Sequence, residues 1–224
     1  MTMDAHDTPA SILIIDDHPL MRRGVRQLLE LEDDLKLVGE AGEPATGVRL
    51  AAELDPDVVL LDLNMPKMNG IETLKRLRED GFAGRVVMFT VSDHEEDVVN
   101  ALQAGADGYL LKDMDPDDMV RQLRQAALGR MVISESLTAL LAEALRSQRS
   151  RPAAPDIHSL TQREREILRE LAAGLSNKLI ARKLDITEGT VKVHVKHLLK
   201  KLNLRSRVEA AVWAVQENIE RSAH

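Results

Sequence analysis

Short apolar runs that alternate with helical patterns are the feature that most constrains this chain of 224 residues. The first half of the chain holds four continuous apolar runs, rich in β-branched residues, and a fifth run that a lysine interrupts. The runs lie at 12–15, 58–61, 86–89 and 109–111, with the interrupted one at 35–38. Strands buried on both faces of a parallel sheet have this continuous pattern. Because residues at helical spacing lie between the runs, the sequence predicts a doubly wound α/β domain with a five-stranded parallel sheet.

The second half of the chain contains no strand-like run and has the pattern of helices. Leucines at helical spacing predict a helix over 134–147, and Pro-Ala-Ala-Pro at 152–155 is typical of a linker. Thr161 and Ser206 each precede a glutamate by three residues, the spacing of a capping box, and Ser176 and Thr187 are suited to cap the helices between them. The sequence therefore predicts a first domain at 10–130, a tether helix and linker at 131–158, and an all-α four-helix domain at 159–221.

The charge is distributed unevenly between these segments. The formal net charge of -7 by itself argues against a nucleic-acid partner, and an aromatic content of 2% argues against stacking on single strands. Residues 1–133 carry 14 basic and 26 acidic side chains, whereas residues 159–224 carry 13 basic and 8 acidic ones. The second domain is thus basic and compatible with a duplex partner. The absence of cysteine excludes disulfides, thiolate chemistry and Cys-ligated metal sites.

Polar residues follow four of the five predicted strands, at the sheet edge where doubly wound folds place their chemistry. Asp16 and Asp17 follow the first strand, Asp62 the third, Thr90 the fourth and Lys112 the fifth. Crowded carboxylates repel one another, so a cation is expected to bridge them. Because the predicted ligands are oxygen atoms without His or Cys, Mg²⁺ is the expected cation. A carboxylate beside Mg²⁺ and a lysine is suited to attack a phosphoryl group.

Four segments at these strand ends resemble the receiver domain of bacterial two-component response regulators, which has a flavodoxin-like fold. They are I-I-D-D-H-P at 14–19, L-D-L-N-M-P at 61–66 with N-G at 69–70, Thr90, and G-Y-L-L-K at 108–112. The resemblance implies that Asp62 accepts phosphoryl from a sensor histidine kinase. It further implies that Mg²⁺ binds Asp17, Asp62 and the backbone carbonyl of Asn64 directly and Asp16 through water, and that Lys112, Thr90 and Tyr109 bind or respond to the phosphoryl group.

Residues 176–202 predict a helix, a short turn and a second helix. The second helix has one buried apolar stripe, formed by Val191, Val195, Leu198 and Leu202. Its opposite face carries Lys192, Val193, Lys196 and Lys200. An apolar side chain between lysines has a use in the major groove, where it touches a thymine methyl while lysine reaches guanine or phosphate. This face therefore predicts recognition of double-stranded DNA.

The second domain resembles the LuxR-type helix-turn-helix of the NarL/FixJ family of response regulators. The motifs are L-T-Q-R-E-R-E at 160–166, N-K-L-I-A at 177–181 and T-V-K-V-H-V-K at 190–196. The resemblance implies a homodimer on DNA and control of nitrate- and nitrite-responsive genes of anaerobic respiration. It implies base contacts from Lys192, Val193 and Lys196. Expected phosphate contacts are Asn177, Lys178, Thr190 and Lys201.

Two other kinds of function compete with a phosphorylation-switched regulator. A Mg²⁺-dependent phosphohydrolase needs a general acid near its nucleophile, but the second residue after Asp62 is Asn64, so a turnover enzyme is not expected. A pure interaction module would bind DNA regardless of phosphorylation. His194 and His197 lack a third metal ligand nearby in sequence. No apolar stretch is long enough to span a bilayer, so no membrane contact and a cytoplasmic location are expected.

Overall fold

The structure is a computed structural model that describes residues 9–134, 157–204 and 206–216. The helix predicted over 134–147 and most of the predicted linker lie outside the described residues. None of the helices in the described part of the chain is long and apolar enough to cross a membrane.

Six parallel strands form the sheet of the first domain, in the order β2-β1-β3-β4-β5-β6. They are β1 (Ala10–Ile15), β2 (Leu35–Ala41), β3 (Val58–Leu61), β4 (Arg85–Thr90), β5 (Gly108–Leu111) and β6 (Val132–Ile133). The five predicted strands are all present, and the sixth is an addition to the prediction. It has two residues, and Gly108 of β5 pairs with Val132. So short a strand leaves no periodic pattern in a sequence and is defined only by its pairing.

Five helices cover the two faces of this sheet, which is why its strands are continuous apolar runs. They are α1 (Pro19–Leu29), α2 (Pro44–Leu54), α3 (Gly70–Glu79), α4 (Glu95–Gln103) and α5 (Pro116–Ala127). Successive strand residues enter different cores: Leu61 packs in the core that includes Leu74 of α3 and Val98 of α4. Leu60 packs in the core that includes Leu123 of α5. The domain is therefore doubly wound, as predicted.

The regular elements of the second domain are all helices in its described residues. A 3-10 turn (Ile157–Ser159) precedes α6 (Gln162–Ala172), α7 (Asn177–Lys183), α8 (Glu188–Leu202) and α9 (Arg207–Gln216). Thr161 forms the predicted capping box with Glu164, and Ser176 and Thr187 accept the predicted hydrogen bonds at the starts of α7 and α8. The buried stripe of α8 packs against Trp213 of α9 in the core of this domain.

A glycine at the start of α3 lets that helix approach the end of β3 closely. A Cβ atom on Gly70 would lie 2.2 Å from the carbonyl oxygen of Asp62 and 2.7 Å from the Cα of Leu63. The Gly70 amide donates to the carbonyl of Leu63 at 2.7 Å. These neighbours are backbone atoms, which cannot move aside as a flexible side chain can. Only glycine, which has no Cβ atom, therefore allows α3 to lie this close to the end of β3.

We expect Gly70→Ala to lower the free energy of unfolding of the first domain by about 1–3 kcal/mol, because overpacking shifts the backbone. Urea unfolding followed by circular dichroism measures the change. The control is Gly24→Ala in α1, where an added Cβ meets no atom within 4 Å. That substitution is expected to be neutral or mildly stabilising. Equal destabilisation by both variants would contradict the close-approach argument.

Candidate functional site

The carboxyl edge of the sheet brings together four of the predicted polar residues. Asp16, which follows β1, and Asp62, which follows β3, are only 1% and 2% exposed. Lys112, which follows β5, places its Nζ 2.8 Å from Asp16 Oδ2 and 3.0 Å from Asp62 Oδ2. Asp17 is partly buried beside them, and we call Asp16, Asp17 and Asp62 the acidic pocket. One buried ammonium thus faces two buried carboxylates.

The electrostatics of the acidic pocket favour a bound cation. Burial raises the pKa of Asp62, Lys112 opposes that rise, and the neighbouring carboxylate of Asp16 adds to it. Three of the pocket's buried oxygens, Asp16 Oδ2, Asp17 Oδ1 and Asp62 Oδ2, accept no hydrogen bond of good geometry. Lys112 lies within ion-pair distance of the Asp16 and Asp62 oxygens, so one ammonium faces a cluster of three carboxylates. Clustered carboxylate oxygens are what a hard divalent cation binds. The residues present therefore fit Mg²⁺.

A histidine, which the predicted ligand set does not include, also lies in this group of potential ligands. His18 Nδ1 lies 2.9 Å from Asp17 Oδ1, 3.1 Å from Asp16 Oδ1 and 3.6 Å from Asp62 Oδ2. One potential ligand atom from each of the four side chains lies within 4.8 Å of the others. The sequence signal for its position is that His18 directly follows Asp17.

The predicted switch residues Thr90 and Tyr109 are buried and are connected through Ser92. The Thr90 hydroxyl accepts a hydrogen bond from the Ser92 amide at 3.2 Å. The Tyr109 hydroxyl donates to the Ser92 carbonyl at 3.0 Å, and burial raises the pKa of this phenol. Ser92 also donates its hydroxyl to Asp97 of α4. Sequence reasoning missed Ser92 because its role depends on contacts across the sheet edge rather than on a local pattern.

A second candidate site is the polar face of α8. We call α8 the reader helix. Val193 is 52% exposed, as expected for a residue that contacts a partner. Lys192 Nζ lies 3.0 Å from Asp55 Oδ2 and donates to the Asp55 carbonyl at 2.8 Å. Lys196 Nζ lies 3.4 Å from the carbonyl oxygen of Asp80. Two of the three predicted base-contacting side chains therefore end on the first domain.

The predicted phosphate-contacting residues are held by different partners. Asn177 is buried, and its Oδ1 accepts a hydrogen bond from Arg207 at 2.9 Å. Thr190 lies 2.8 Å from the Thr187 hydroxyl at the start of the reader helix. Lys201 forms an ion pair of 2.7 Å with the buried Glu164. Lys178, at the start of α7, lies near enough to Glu188 to stabilise its ionised form.

Two glycines of the first domain lie close to the second domain. A Cβ atom on Gly81, which has a φ of +82°, would lie 2.2 Å from Lys196 Cε, and one on Gly129 would lie 2.8 Å from the Gly174 carbonyl. Burial raises the pKa of Glu188 in the reader helix, and Asp57 of the first domain raises it further. The first domain thus presents the carboxylates of Asp55 and Asp57, backbone carbonyls and Gly81 to the reader helix, and Gly129 to the turn before α7.

Buried arginines lie at the same domain boundary. Arg85 donates to the carbonyl of Gly129 and to Asp107, while Arg207 donates to the carbonyl of Leu175 at 2.6 Å. Burial lowers the pKa of Arg207, and the like charge of Arg85 lowers it further. Gly129 lies just beyond the end of α5, and Leu175 lies beyond the end of α6. Both guanidinium groups thus bind carbonyls near helix C-termini, where the helix dipole favours positive charge.

Known proteins share both halves of this arrangement. Residues 12–124 match the family described as response regulator receiver domain, and residues 158–214 match the family described as bacterial regulatory proteins, luxR family. The nitrate/nitrite response regulator protein NarL of Escherichia coli K12 is 60% identical over 215 residues, which span 96% of this chain and 99% of NarL. The nitrate/nitrite response regulator protein NarP of the same strain is 51% identical over 94% of this chain and 96% of NarP.

Solved structures agree with these matches. A structure of two RcsB dimers bound to two parallel DNAs is similar with a TM-score of 0.55 and 25% identity. The similarity covers 92% of this chain and 98% of that one. The architecture of two joined domains is thus shared along nearly the whole chain.

The ion pair between Lys201 and Glu164 makes the second domain sensitive to acid. Burial alone would raise the pKa of Glu164, but hydrogen bonds from Lys201 and Thr161 lower it. The stabilisation is therefore present above the pKa that Glu164 has in the unfolded chain, and it is lost as the pH falls through the lower pKa of the folded state. We expect Lys201→Gln to move the acid-unfolding midpoint up by roughly half a pH unit or more.

Fluorescence of Trp213, the single tryptophan of the chain, reports acid unfolding of the second domain in the full-length protein. Lys200→Gln, which removes an exposed charge from the same helix, is the control and is expected to leave the midpoint in place. Identical midpoints for Lys201→Gln and the unsubstituted protein would show that the ion pair does not stabilise the domain.

Proposed function

Because this chain belongs to the two-component response regulators, with a receiver domain and a LuxR-family DNA-binding domain, we propose that phosphorylation of Asp62 uncovers its reader helix. The protein regulates transcription in a phosphorylation-dependent way, as its domain composition and its relatives establish. The observation that carries the proposed switch is that Lys192 and Lys196, on the face suited to DNA, end on the receiver.

Asp62 is the proposed phosphoryl acceptor, because its carboxylate lies at the sheet edge, 3.0 Å from the Lys112 ammonium and beside Asp16 and Asp17. In the transfer, an Asp62 oxygen forms a bond to phosphorus while the bond from phosphorus to the imidazole of a sensor kinase breaks. Lys112 offers positive charge to the phosphoryl oxygens. Asp17, Asp62 and the Asn64 carbonyl would hold Mg²⁺, with Asp16 acting through water. Bound Mg²⁺ supplies charge neutralisation between the carboxylates and the phosphoryl oxygens.

Thr90 and Tyr109 are proposed to convert the new phosphoryl group into a movement of the loop that begins α4. The Thr90 hydroxyl lies at the end of β4 and accepts a hydrogen bond from the Ser92 amide. Donation of its own proton to a phosphoryl oxygen on Asp62 would draw the hydroxyl toward the acidic pocket and change its contact with Ser92. Tyr109 is bonded to the Ser92 carbonyl and would follow the same loop. Such a loop with two discrete arrangements is the kind of element that a phosphoryl group biases.

The receiver is proposed to compete with DNA for the lysines of the reader helix. Lys192 pairs with the Asp55 carboxylate and carbonyl, which offer the kind of oxygen acceptors that a phosphate group or base edge would offer. Residues 1–133 carry an excess of 12 acidic side chains, so long-range attraction adds to these contacts. An uncovered helix would place Lys192, Val193 and Lys196 in the major groove.

Further contacts are proposed with the phosphate groups of DNA and between two copies of the protein. Lys178, Thr190 and Lys201 are proposed to bind phosphate groups, and Asn177 is proposed to act there together with Arg207, which holds its side chain. Val212 and Val215 of α9 are exposed apolar residues and are proposed to meet a second copy on paired half-sites. The RcsB dimers bound to DNA are a precedent for this arrangement in a protein of the same architecture.

The signal is proposed to be nitrate or nitrite, sensed by a histidine kinase that then phosphorylates this protein. The support is the 60% identity to NarL and the 51% identity to NarP, both nitrate/nitrite response regulators of Escherichia coli.

The domain boundaries at 10–130, 131–158 and 159–221 are proposed to hold for the whole molecule. The protein is proposed to act in the cytoplasm, where its DNA target lies.

We expect Asp62→Asn to abolish the gain in DNA affinity that acetyl phosphate produces, because the amide cannot form an acyl phosphate. Mass spectrometry of the full chain measures phosphorylation, and fluorescence anisotropy with a duplex measures affinity. Asp93→Asn, which alters an exposed carboxylate near the same edge, is the control and is expected to keep the response. A phosphodonor-dependent gain that survives in Asp62→Asn would make this mechanism wrong.

We expect Asp55→Asn to raise the DNA affinity of the unphosphorylated protein about two- to fivefold, because it removes one acceptor of Lys192 and such pairs contribute up to about 1 kcal/mol. Asparagine tolerates the left-handed conformation that Asp55 adopts at the end of α2 (φ 43°). Asp33→Asn removes an exposed charge that makes no ion pair with the reader helix among the described residues. Equal affinities for Asp55→Asn and Asp33→Asn would count against receiver masking.

A further inference from the structure

His18 occupies a position in the acidic pocket that the phosphorylation mechanism does not use. Its ring is 62% exposed, but its Nδ1 reaches inward to 2.9 Å from Asp17 Oδ1 and 3.1 Å from Asp16 Oδ1. The same nitrogen lies 3.6 Å from Asp62 Oδ2. A potential nitrogen ligand therefore lies among the carboxylate oxygens that a cation would bind.

The local sequence holds this histidine in place before any ligand arrives. The following Pro19 restricts His18 to extended backbone conformations, and His18 has a φ of -85° and a ψ of 107°. Its amide donates to Asp16 Oδ1 at 2.8 Å. The backbone that carries the imidazole is therefore fixed beside the acidic pocket.

The donor set has a chemical consequence for cation preference. Asp16 Oδ2 and Asp62 Oδ2 are buried and accept no hydrogen bond of good geometry, although both lie within ion-pair distance of Lys112. Oxygen ligands alone suit Mg²⁺, whereas neutral imidazole suits first-row transition-metal ions, whose affinity rises from Mn²⁺ to Ni²⁺. A single imidazole in an oxygen site therefore changes selectivity more than it changes Mg²⁺ affinity.

We infer that His18 Nδ1 is a metal ligand at the phosphorylation site and shifts its preference from Mg²⁺ toward transition-metal ions such as Mn²⁺ and Ni²⁺. This inference rests on the proposed role of the acidic pocket as a divalent-cation site. His18 would then determine which divalent cation supports phosphorylation of Asp62. The cellular concentration of that cation would in turn affect phosphorylation.

Pulsed electron paramagnetic resonance of bound Mn²⁺ tests the ligand directly. In tag-free full-length protein, the electron spin echo envelope of Mn²⁺ is expected to show modulation from a coordinated imidazole nitrogen. His18→Gln is expected to retain Mn²⁺ and lose this modulation. His94→Gln is the matched control, because His94 is 83% exposed at the start of α4 and is expected to leave the modulation intact.

Calorimetric titration of the same three proteins with Mg²⁺, Mn²⁺ and Ni²⁺ supplies the selectivity. The ratio of Ni²⁺ to Mg²⁺ affinity is expected to fall about tenfold or more in His18→Gln, with Mg²⁺ affinity within about twofold of the unsubstituted protein. Circular dichroism confirms that each variant is folded.

The outcomes separate this inference from the proposed function. Mn²⁺ binding without nitrogen modulation, or modulation that persists in His18→Gln, would overturn the role of His18 and leave the acidic pocket as an oxygen-only cation site. An unchanged ratio of affinities would do the same. Failure of the unsubstituted protein to bind any of the three cations would overturn both this inference and the proposed Mg²⁺ site.

Discussion

The contact on which the signalling chemistry depends is the buried Lys112 ammonium between the carboxylates of Asp16 and Asp62. Two negative charges and one positive charge are withdrawn from water at the carboxyl edge of the sheet. Such a group is stable only when further charge or hydrogen bonds complete it, because an unpaired buried carboxylate is costly. A cation, a phosphoryl group or both can complete it. Each would change the electrostatic forces and hydrogen bonds that act on the side chains of Thr90 and Lys112.

The reader helix is held at the opposite edge of the same sheet. Asp57 precedes β3 and Asp62 follows it, so the four residues of β3 separate the boundary with the second domain from the phosphorylation site. Asp57 and Asp62 are five residues apart, so at about 3.3 Å per residue that separation is about 17 Å. Polar contacts at this boundary include those of Lys192 with Asp55 and of Lys196 with Asp80, and Ala83 of the first domain packs in the apolar core of the second. The lysine contacts lie on the loops that precede β3 and β4, so modest shifts of these loops change the contacts, which suits a switch.

Much of this arrangement could be predicted from the sequence because it depends on local rules. The apolar run at 58–61 predicted β3 with its observed bounds, and the residue after it proved to lie in the acidic pocket. Thr161, Ser176 and Thr187 proved to cap their helices, since capping depends on residues three positions apart. β6 escaped prediction because pairing with β5 defines it. His18 directly follows Asp17, but adjacency in sequence does not show whether its ring turns toward the acidic pocket, so its position there was not predicted.

The sequence by itself determined the two domain types, the residues at the strand ends and the opposite charges of the two halves. Those properties follow from side-chain periodicity, chain direction in a parallel sheet and composition. Only the tertiary structure decided that Asn177 is held by Arg207, that Lys201 neutralises Glu164, and that Lys192 and Lys196 end on the receiver. These pairings join residues between 30 and 137 positions apart. No local pattern encodes such separations, because they depend on how whole domains and helices pack.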